Sequence, residues 1–99
     1  MWIKTQNGQM IINADHISRI FVNVSQPDIT AVCNSISGDN GQCITLGGYK
    51  DKKTCIRLLG FLLTMIGRDV ISFLEMPSID EVTDEWLEKC ENEAKNIYI

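Results

Sequence analysis

Apolar and polar residues alternate along the first half of the chain, a pattern typical of half-buried β-strands. Two short runs, residues 2–5 and 10–13, flank Asn7 and Gly8. The Asn-Gly pair is the strongest short-range signal of a β-hairpin, because both central residues of a type I′ turn need a positive φ. A third alternating run covers residues 18–25. These segments predict the first three strands.

The next two predicted strands, residues 29–37 and 42–46, flank a second turn signal at residues 38–41. Either two-residue turn in this segment gives the same parity and places Cys33 and Cys43 on opposite faces of the sheet. We therefore expect no disulfide between them. One face of this hairpin would carry Ile29, Ala31, Cys33, Ile44 and Leu46, and the other Val32, Ile36 and Cys43.

A helix is predicted from Asp51, a plausible N-cap, to about Ile66, with Gly67 as the C-cap. At 100° per residue its apolar side chains fill an arc of roughly 220°. A helix on one sheet needs a stripe only slightly wider than about 100°. A second layer must therefore cover this helix. Just before it, Tyr49 follows two glycines and is expected to pin the corner between strand and helix.

Residues 70–76 predict another strand, which Pro77 ends. Ser78 and Glu81 then have the spacing of a capping box and predict the start of a second helix of about 15–18 residues. Acidic residues occupy much of its surface. Its apolar face would consist of Ile79, Val82, Trp86, Cys90 and Ala94.

The predicted fold is α+β, in a single domain spanning residues 1–99. Residues 1–77 would form an antiparallel sheet of five or six strands packed on the apolar helix, and residues 78–99 an acidic helical extension. The sheet is either open or curled into a half-barrel like that of pleckstrin-homology domains.

Charge is divided unequally along the 99 residues, whose net charge is −4. Residues 78–99 hold seven acids and two lysines, whereas basic residues cluster where the first helix begins, at Lys50, Lys52, Lys53 and Arg57. Either the two charged faces are solvated separately, or the acidic helix lies across the basic helix start, within one chain or across a dimer. A pI near 4.8 argues against a nucleic-acid binder, which needs a basic surface.

Three coverings of the apolar helix are possible: the second helix of the same chain, a second copy in a homodimer, or a helix of another protein. The candidate interface, with self or partner, consists of Leu58, Phe61, Leu62, Met65, Val82, Trp86 and Cys90. Asp84, Glu85 and Glu88 form a candidate acidic surface for a partner with a basic surface. Trp2 and Trp86 could anchor an interface but are expected in the core, as are Phe21 and Phe73.

Signals of catalysis and of metal or cofactor binding are weak. His16 is the only histidine, the four cysteines form no C-x-x-C pair, and no phosphate-binding glycine motif occurs. We expect no enzyme, no cofactor and no metal, and free thiols. The longest apolar run is about ten residues, against about 20 for a membrane span. With no recognisable signal peptide, we expect a cytoplasmic protein without membrane contact.

Three segments resemble a group of small proteins of Gram-positive bacteria and their phages. These are the N-terminal Met-Trp-Ile-Lys-Thr-Gln, the Leu-Gly-Gly-Tyr-Lys corner at residues 46–50, and the Met-Pro strand end at Met76. The resemblance covers residues 1–77 and implies a cytosolic protein of phage or mobile-element origin. It brings no catalytic residues. This chain departs from the group in its more apolar helix and in its acidic extension.

Together these observations predict a non-enzymatic protein–protein interaction module that self-associates as a homodimer. An inhibitor of a host enzyme or defence system, encoded by a phage, is one concrete form of it. The alternative is a small-ligand-binding module with a pocket between helix and sheet.

Overall fold

The computed structural model describes residues 1–33, 41–68 and 72–97. It shows an α+β fold of two helices and two three-stranded sheets, which are not closed into a barrel. In chain order the elements are β1 (Trp2–Lys4), β2 (Ile11–Asn13), β3 (Ile17–Val22), β4 (Asp28–Cys33), β5 (Gln42–Gly48), α1 (Lys52–Arg68), β6 (Phe73–Glu75) and α2 (Asp84–Ile97). A turn of 3₁₀-helix, Ala14–His16, joins β2 to β3.

The first sheet, which we call the hairpin sheet, has the strand order β2-β1-β6. β1 and β2 pair antiparallel, with Lys4 opposite Ile11, whereas β1 and β6 are parallel, with Lys4 opposite Glu75. The prediction of one antiparallel sheet of five or six strands is therefore wrong in its pairing. The six strands of the described residues divide into two sheets, and β6 pairs parallel to β1 after α1. Residues 70 and 71 of the predicted last strand lie outside the described residues.

The hairpin between β1 and β2 confirms the turn signal, but its centre differs from the predicted one. The amide of Gly8 donates to the carbonyl of Thr5 (2.9 Å), so Gln6 and Asn7 are the central residues of the turn. Gly8 follows with a φ of 74°. Glycine takes this left-handed conformation without the steric cost that a Cβ would bring.

The second sheet, the meander sheet, has the order β3-β4-β5 and is antiparallel throughout. Ala31 lies opposite Ile44, and Val32 opposite Cys43. The predicted parity is thus confirmed, since Cys43 shares a face with Val32 and not with Cys33. All four cysteines are free. The predicted turn at residues 38–41 lies outside the described residues except for Gly41, and Ile36 lies outside them entirely. The curled half-barrel is not confirmed.

Helix α1 begins as predicted and ends later. The Oδ1 atom of Asp51 accepts a hydrogen bond from the amide of Thr54 (2.7 Å), as an N-cap does. The helix continues through Gly67 to Arg68, so the prediction of Gly67 as a C-cap is wrong. Glycine costs about 1 kcal/mol in a helix interior relative to alanine, which packing of the neighbouring turns can offset.

Helix α2 begins later than predicted, at Asp84. The amide of Glu81 bonds to the Oγ and the carbonyl of Ser78, which closes a separate turn instead of starting the helix. The N-cap is Thr83, whose Oγ1 accepts from the amide of Trp86 (3.2 Å). The helix has 14 residues, and Ile79 lies before it, half exposed. The capping-box prediction therefore placed the start of the helix five residues too early.

Replacing Thr83 with alanine tests this cap. We expect Thr83→Ala to lower the free energy of unfolding by about 1 kcal/mol, because the first turn of α2 loses the acceptor for an amide. Ser78→Ala is the matched control and should cost less than half as much. Chemical denaturation of the two variants measures both values. A larger loss in Ser78→Ala would show that the helix starts at the predicted capping box.

Candidate functional site

The apolar arc of α1 is covered from two sides within one chain. The helix packs against β3 and β4 of the meander sheet and against α2. Cys55, Leu58, Leu62 and Met65 are buried along this arc. The structure therefore shows the first of the three predicted coverings, in which the second helix of the same chain lies on the first.

On α2 and the segment before it, Val82 and Cys90 are buried and Trp86 is half-buried, as predicted. Ile79 is half exposed and is not part of this face, because it precedes the helix. The side chain of Ala94 lies outside the described part of the structure. Sequence reasoning missed Leu87, which has no exposed surface. Its signal was a large aliphatic residue directly after Trp86 and three positions before Cys90.

Ion pairs join the acidic helix to the start of α1. Arg57 Nε lies 2.8 Å from Glu91 Oε1, and Asp84 Oδ1 lies 3.5 Å from Arg57 and 3.9 Å from Lys50. The hydrogen bond to Glu91 raises the pKa of Arg57. The acidic helix thus crosses the basic helix start within one chain. Of the candidate acidic surface, Asp84 is paired in this way, while Glu85 and Glu88 are exposed.

A pocket of about 170 Å³ opens between α1, α2 and β6. The rings of Phe61 and Trp86 meet edge to face at its wall, with centroids 6.4 Å apart. Met65 and Val82 are buried but do not line it. Its lining consists of Leu58, Phe61, Leu62, Leu74, Glu75, Met76, Pro77, Trp86 and Cys90. Most of the predicted interface residues therefore surround a pocket within the chain.

One flank of α1 stays uncovered. Ile56 is 61% exposed and Leu63 is 46% exposed, on the side of the helix away from α2. Two layers are therefore not enough to cover the whole apolar arc that the sequence displays.

The outer face of the hairpin sheet is a second uncovered surface. Ile3 and Ile12 point into the core, so the alternating neighbours point outward. Trp2 and Phe73, which are register partners, are 50% and 48% exposed, and Ile11 is 54% exposed. The expectation that Trp2 and Phe73 lie in the core is wrong, because the parity of their strands places them on the solvent face. Phe21, on the meander sheet, is half-buried.

A partly buried hydrogen-bond cluster joins the two sheets and the segment before α2. The carbonyl of Pro77 accepts from Tyr49 Oη (2.9 Å) and from Gln6 Nε2 (3.1 Å). Gln6 also donates to the carbonyl of Gly48 and accepts from its amide, both at 2.9 Å. Tyr49 thus pins the corner between β5 and α1, as predicted. We call Gln6, Gly48, Tyr49 and Pro77 the carbonyl clamp.

The reactive side chains of the described residues do not assemble. His16 is exposed in the 3₁₀ turn, and no group of three or more His, Cys, Asp or Glu residues within the described ranges could hold a metal ion. Burial raises the pKa of the thiols of Cys55 and Cys90, which keeps them protonated near neutral pH. Across residues 1–33, 41–68 and 72–97, no helix has the length and apolar character to cross a bilayer.

Comparison with known proteins gives no match, whether with protein-family models, curated proteins or solved structures. The function is therefore inferred from the surfaces and pockets described above.

Leu87 tests whether α2 is part of the core. We expect Leu87→Ala to destabilise the fold by about 2–5 kcal/mol, the cost of a cavity at a fully buried leucine. Ile79→Ala, at a half-exposed position, should cost about 0.5 kcal/mol or less. Thermal and chemical unfolding measure both variants. Equal small losses would contradict the packing of α2 on α1.

Tyr49 makes the free energy of unfolding depend on pH in the alkaline range. Burial raises its pKa far above the ordinary value of about 10. Above pH 10 the unfolded chain releases the phenol proton and the folded chain keeps it, so the stability that is present at neutral pH is lost as pH rises.

We expect Tyr49→Phe to cost about 0.5–1.5 kcal/mol at pH 7, through loss of the bond to Pro77. The difference between the two proteins should narrow above pH 10 by at most about 1.4 kcal/mol per pH unit. Denaturation curves from pH 7 to 11 give the comparison. A gap that stays constant with pH would contradict the raised pKa.

Proposed function

We propose that this protein is a non-enzymatic interaction module that self-associates through the outer face of the hairpin sheet. The observation that carries the proposal is the exposure of Trp2, Phe73 and Ile11 on one face of three adjacent strands. Trp2 lies opposite Phe73, and Ile11 lies one row away, opposite Lys4. Tryptophan and other aromatic side chains are enriched among the residues that contribute most to protein–protein binding. Two aromatic side chains and an isoleucine exposed on one face of a sheet favour a docking face over incidental exposure.

Charge on this face favours a second copy as the occupant. Lys4 and Glu75 lie on it as an ion pair with an N–O distance of 3.7 Å, so the face carries one charge of each sign. A two-fold axis brings the same surface of two copies together and can place Lys4 of each copy near Glu75 of the other. Since this face itself carries one charge of each sign, the net charge of −4 of the chain is not concentrated where the two copies meet. A strongly basic partner would instead be attracted to α2.

The size of the apolar patch indicates a weak dimer. Aromatic side chains bury about 150–250 Å² each, so Trp2 and Phe73 at half exposure, with Ile11, offer on the order of 300 Å² per copy. A standard interface buries about 800 Å² per partner. The patch can therefore form the centre of the contact, with polar residues around it, and we expect dissociation in the micromolar range.

Glu85 and Glu88 remain available for a partner with a basic surface when two copies meet through the hairpin sheet. Such charges raise association rates more than they raise affinity. A phage or mobile-element origin, and a target in a host enzyme or defence system, stay predictions of the sequence resemblance.

The test compares two surface variants by sedimentation equilibrium from micromolar to millimolar concentration. The wild-type chain should rise from its 11.2 kDa monomer mass toward twice that value. Trp2→Thr/Phe73→Thr removes the patch with residues that suit a strand, and should stay monomeric. Ile56→Gln/Leu63→Gln removes the exposed flank of α1 with residues that suit a helix, and should associate like the wild type.

Circular dichroism and thermal unfolding confirm that both variants are folded. A wild-type chain that stays monomeric at millimolar concentration overturns self-association. Dimers lost only in the α1 variant overturn the hairpin sheet as the interface.

A further inference from the structure

The pocket between α1, α2 and β6 has an almost wholly apolar lining. Leu58 and Leu62 of α1 are almost completely buried beside it, and Leu74 of β6 lies across from them. Glu75 also borders the pocket, but its carboxylate pairs with Lys4 at 3.7 Å on the outer face of the hairpin sheet. The pocket therefore offers a ligand no charged group.

Water gains little from entering such a space. A buried water molecule makes about three hydrogen bonds, usually to polar groups that have no other partner. Within residues 1–33, 41–68 and 72–97, no buried side-chain nitrogen or oxygen lacks a partner. An apolar molecule that fills the pocket instead removes apolar surface, both its own and that of the lining, from water. The lining therefore favours an uncharged, apolar ligand.

The volume and the wall of the pocket set the size and kind of that ligand. A dry cavity of about 150 Å³ lined by leucine, isoleucine and phenylalanine accommodates benzene in an engineered protein. The pocket here measures about 170 Å³, enough for one six-membered ring. Phe61 and Trp86 already pack edge to face at the wall, and Met76 and Cys90 add sulfur-containing side chains. Both kinds of group pack favourably against a further aromatic ring.

The wall that α2 contributes is anchored on both sides. Arg57 of α1 forms ion pairs with Asp84 (3.5 Å) and with Glu91 (2.8 Å). These two acids flank the pocket-lining residues Trp86 and Cys90 in the sequence of α2. The pocket is therefore formed before a ligand arrives, as sites for small molecules usually are.

We propose that this pocket binds a small, uncharged aromatic molecule with one six-membered ring, non-covalently, with the ring among Leu58, Leu62 and Trp86. The pocket lies on the core side of β6, whereas Trp2 and Phe73 are exposed on the outer face of the hairpin sheet. The inference therefore does not depend on self-association. It gives the chain a ligand-binding activity besides its interaction with proteins.

Toluene and phenol are the matched probes, because they share the ring and differ only in a methyl or a hydroxyl group. Benzylammonium adds a charge. NMR titration at one protein concentration follows the indole N–H signals of the two tryptophans, Trp86 at the pocket and Trp2 outside it as the internal control.

Toluene should shift the Trp86 signal and leave that of Trp2 in place, with a dissociation constant on the order of 1 mM for so few atoms. Phenol should bind about fivefold more weakly or worse, since its hydroxyl finds no hydrogen-bond partner in the pocket. Benzylammonium should leave both signals in place, because its charge would lose its hydration.

A pair of equal substitutions locates the site. Leu74→Phe fills the pocket from β6 and should weaken toluene binding about tenfold or more. Leu63→Phe makes the same change on the exposed flank of α1, outside the lining, and should keep the affinity within about twofold of the wild type. Circular dichroism confirms folding, and Cys90→Leu, which fills the pocket from α2, replaces Leu74→Phe if that variant does not fold.

Absence of any Trp86 shift at the solubility limit of toluene overturns the site. Phenol or benzylammonium binding as tightly as toluene overturns the assignment of an uncharged, apolar ligand. An equal shift of Trp2, or unchanged toluene binding in a folded, pocket-filled variant, shows that the probe binds elsewhere and overturns the inference as well.

Discussion

The carbonyl of Pro77 is the point on which the arrangement of this fold depends. Two donors from distant parts of the chain, the buried Tyr49 Oη and the half-buried Gln6 Nε2, converge on it. They join the first hairpin, the corner between β5 and α1, and the segment that leads to α2. Because Pro77 has no backbone N–H to donate, its carbonyl is the backbone group that binds it to the clamp.

The clamp also explains residues that look unimportant in the sequence. A Cβ at Gly47 would lie 2.8 Å from Tyr49 Oη and 3.2 Å from Gln6 Cβ, so a side chain there would displace both donors. Gln6, Gly47, Tyr49 and Pro77 thus have a structural reason, which is the packing and hydrogen bonding of the clamp.

The sequence predicted what depends on local pattern and missed what depends on contacts between distant segments. Asp51 as a cap, the parity of Cys33 and Cys43, and the need for a cover over α1 follow from side-chain periodicity. The parallel pairing of β6 with β1 does not, since period-2 alternation is the same in parallel and antiparallel strands. The late start of α2 followed from competition between two capping signals five residues apart. Only the second signal, Thr83, leads directly into the helix.

The exposed aromatic residues were predictable from one further step. In β1, Trp2 has the parity of Lys4, and in β6, Phe73 has the parity of Glu75. A charged residue indicates the solvent face of a short strand, and the aromatic residue two positions away must share that face. Size and apolar character suggested the core, but parity decides the direction of a side chain.

The pocket could not be predicted in this way, because it forms where α2 crosses α1 and depends on the shapes of the side chains at the crossing. The wide apolar arc of α1 accounts for both the crossing of α2 and the pocket at that crossing. It needs a cover, and a helix that carries Trp86 and the smaller Cys90 one turn apart does not fill the groove beneath it evenly. A uniformly leucine-rich α2 would close that space. Trp86 and Cys90 on the inner face of α2 therefore leave an apolar space against Leu58 and Leu62 of α1.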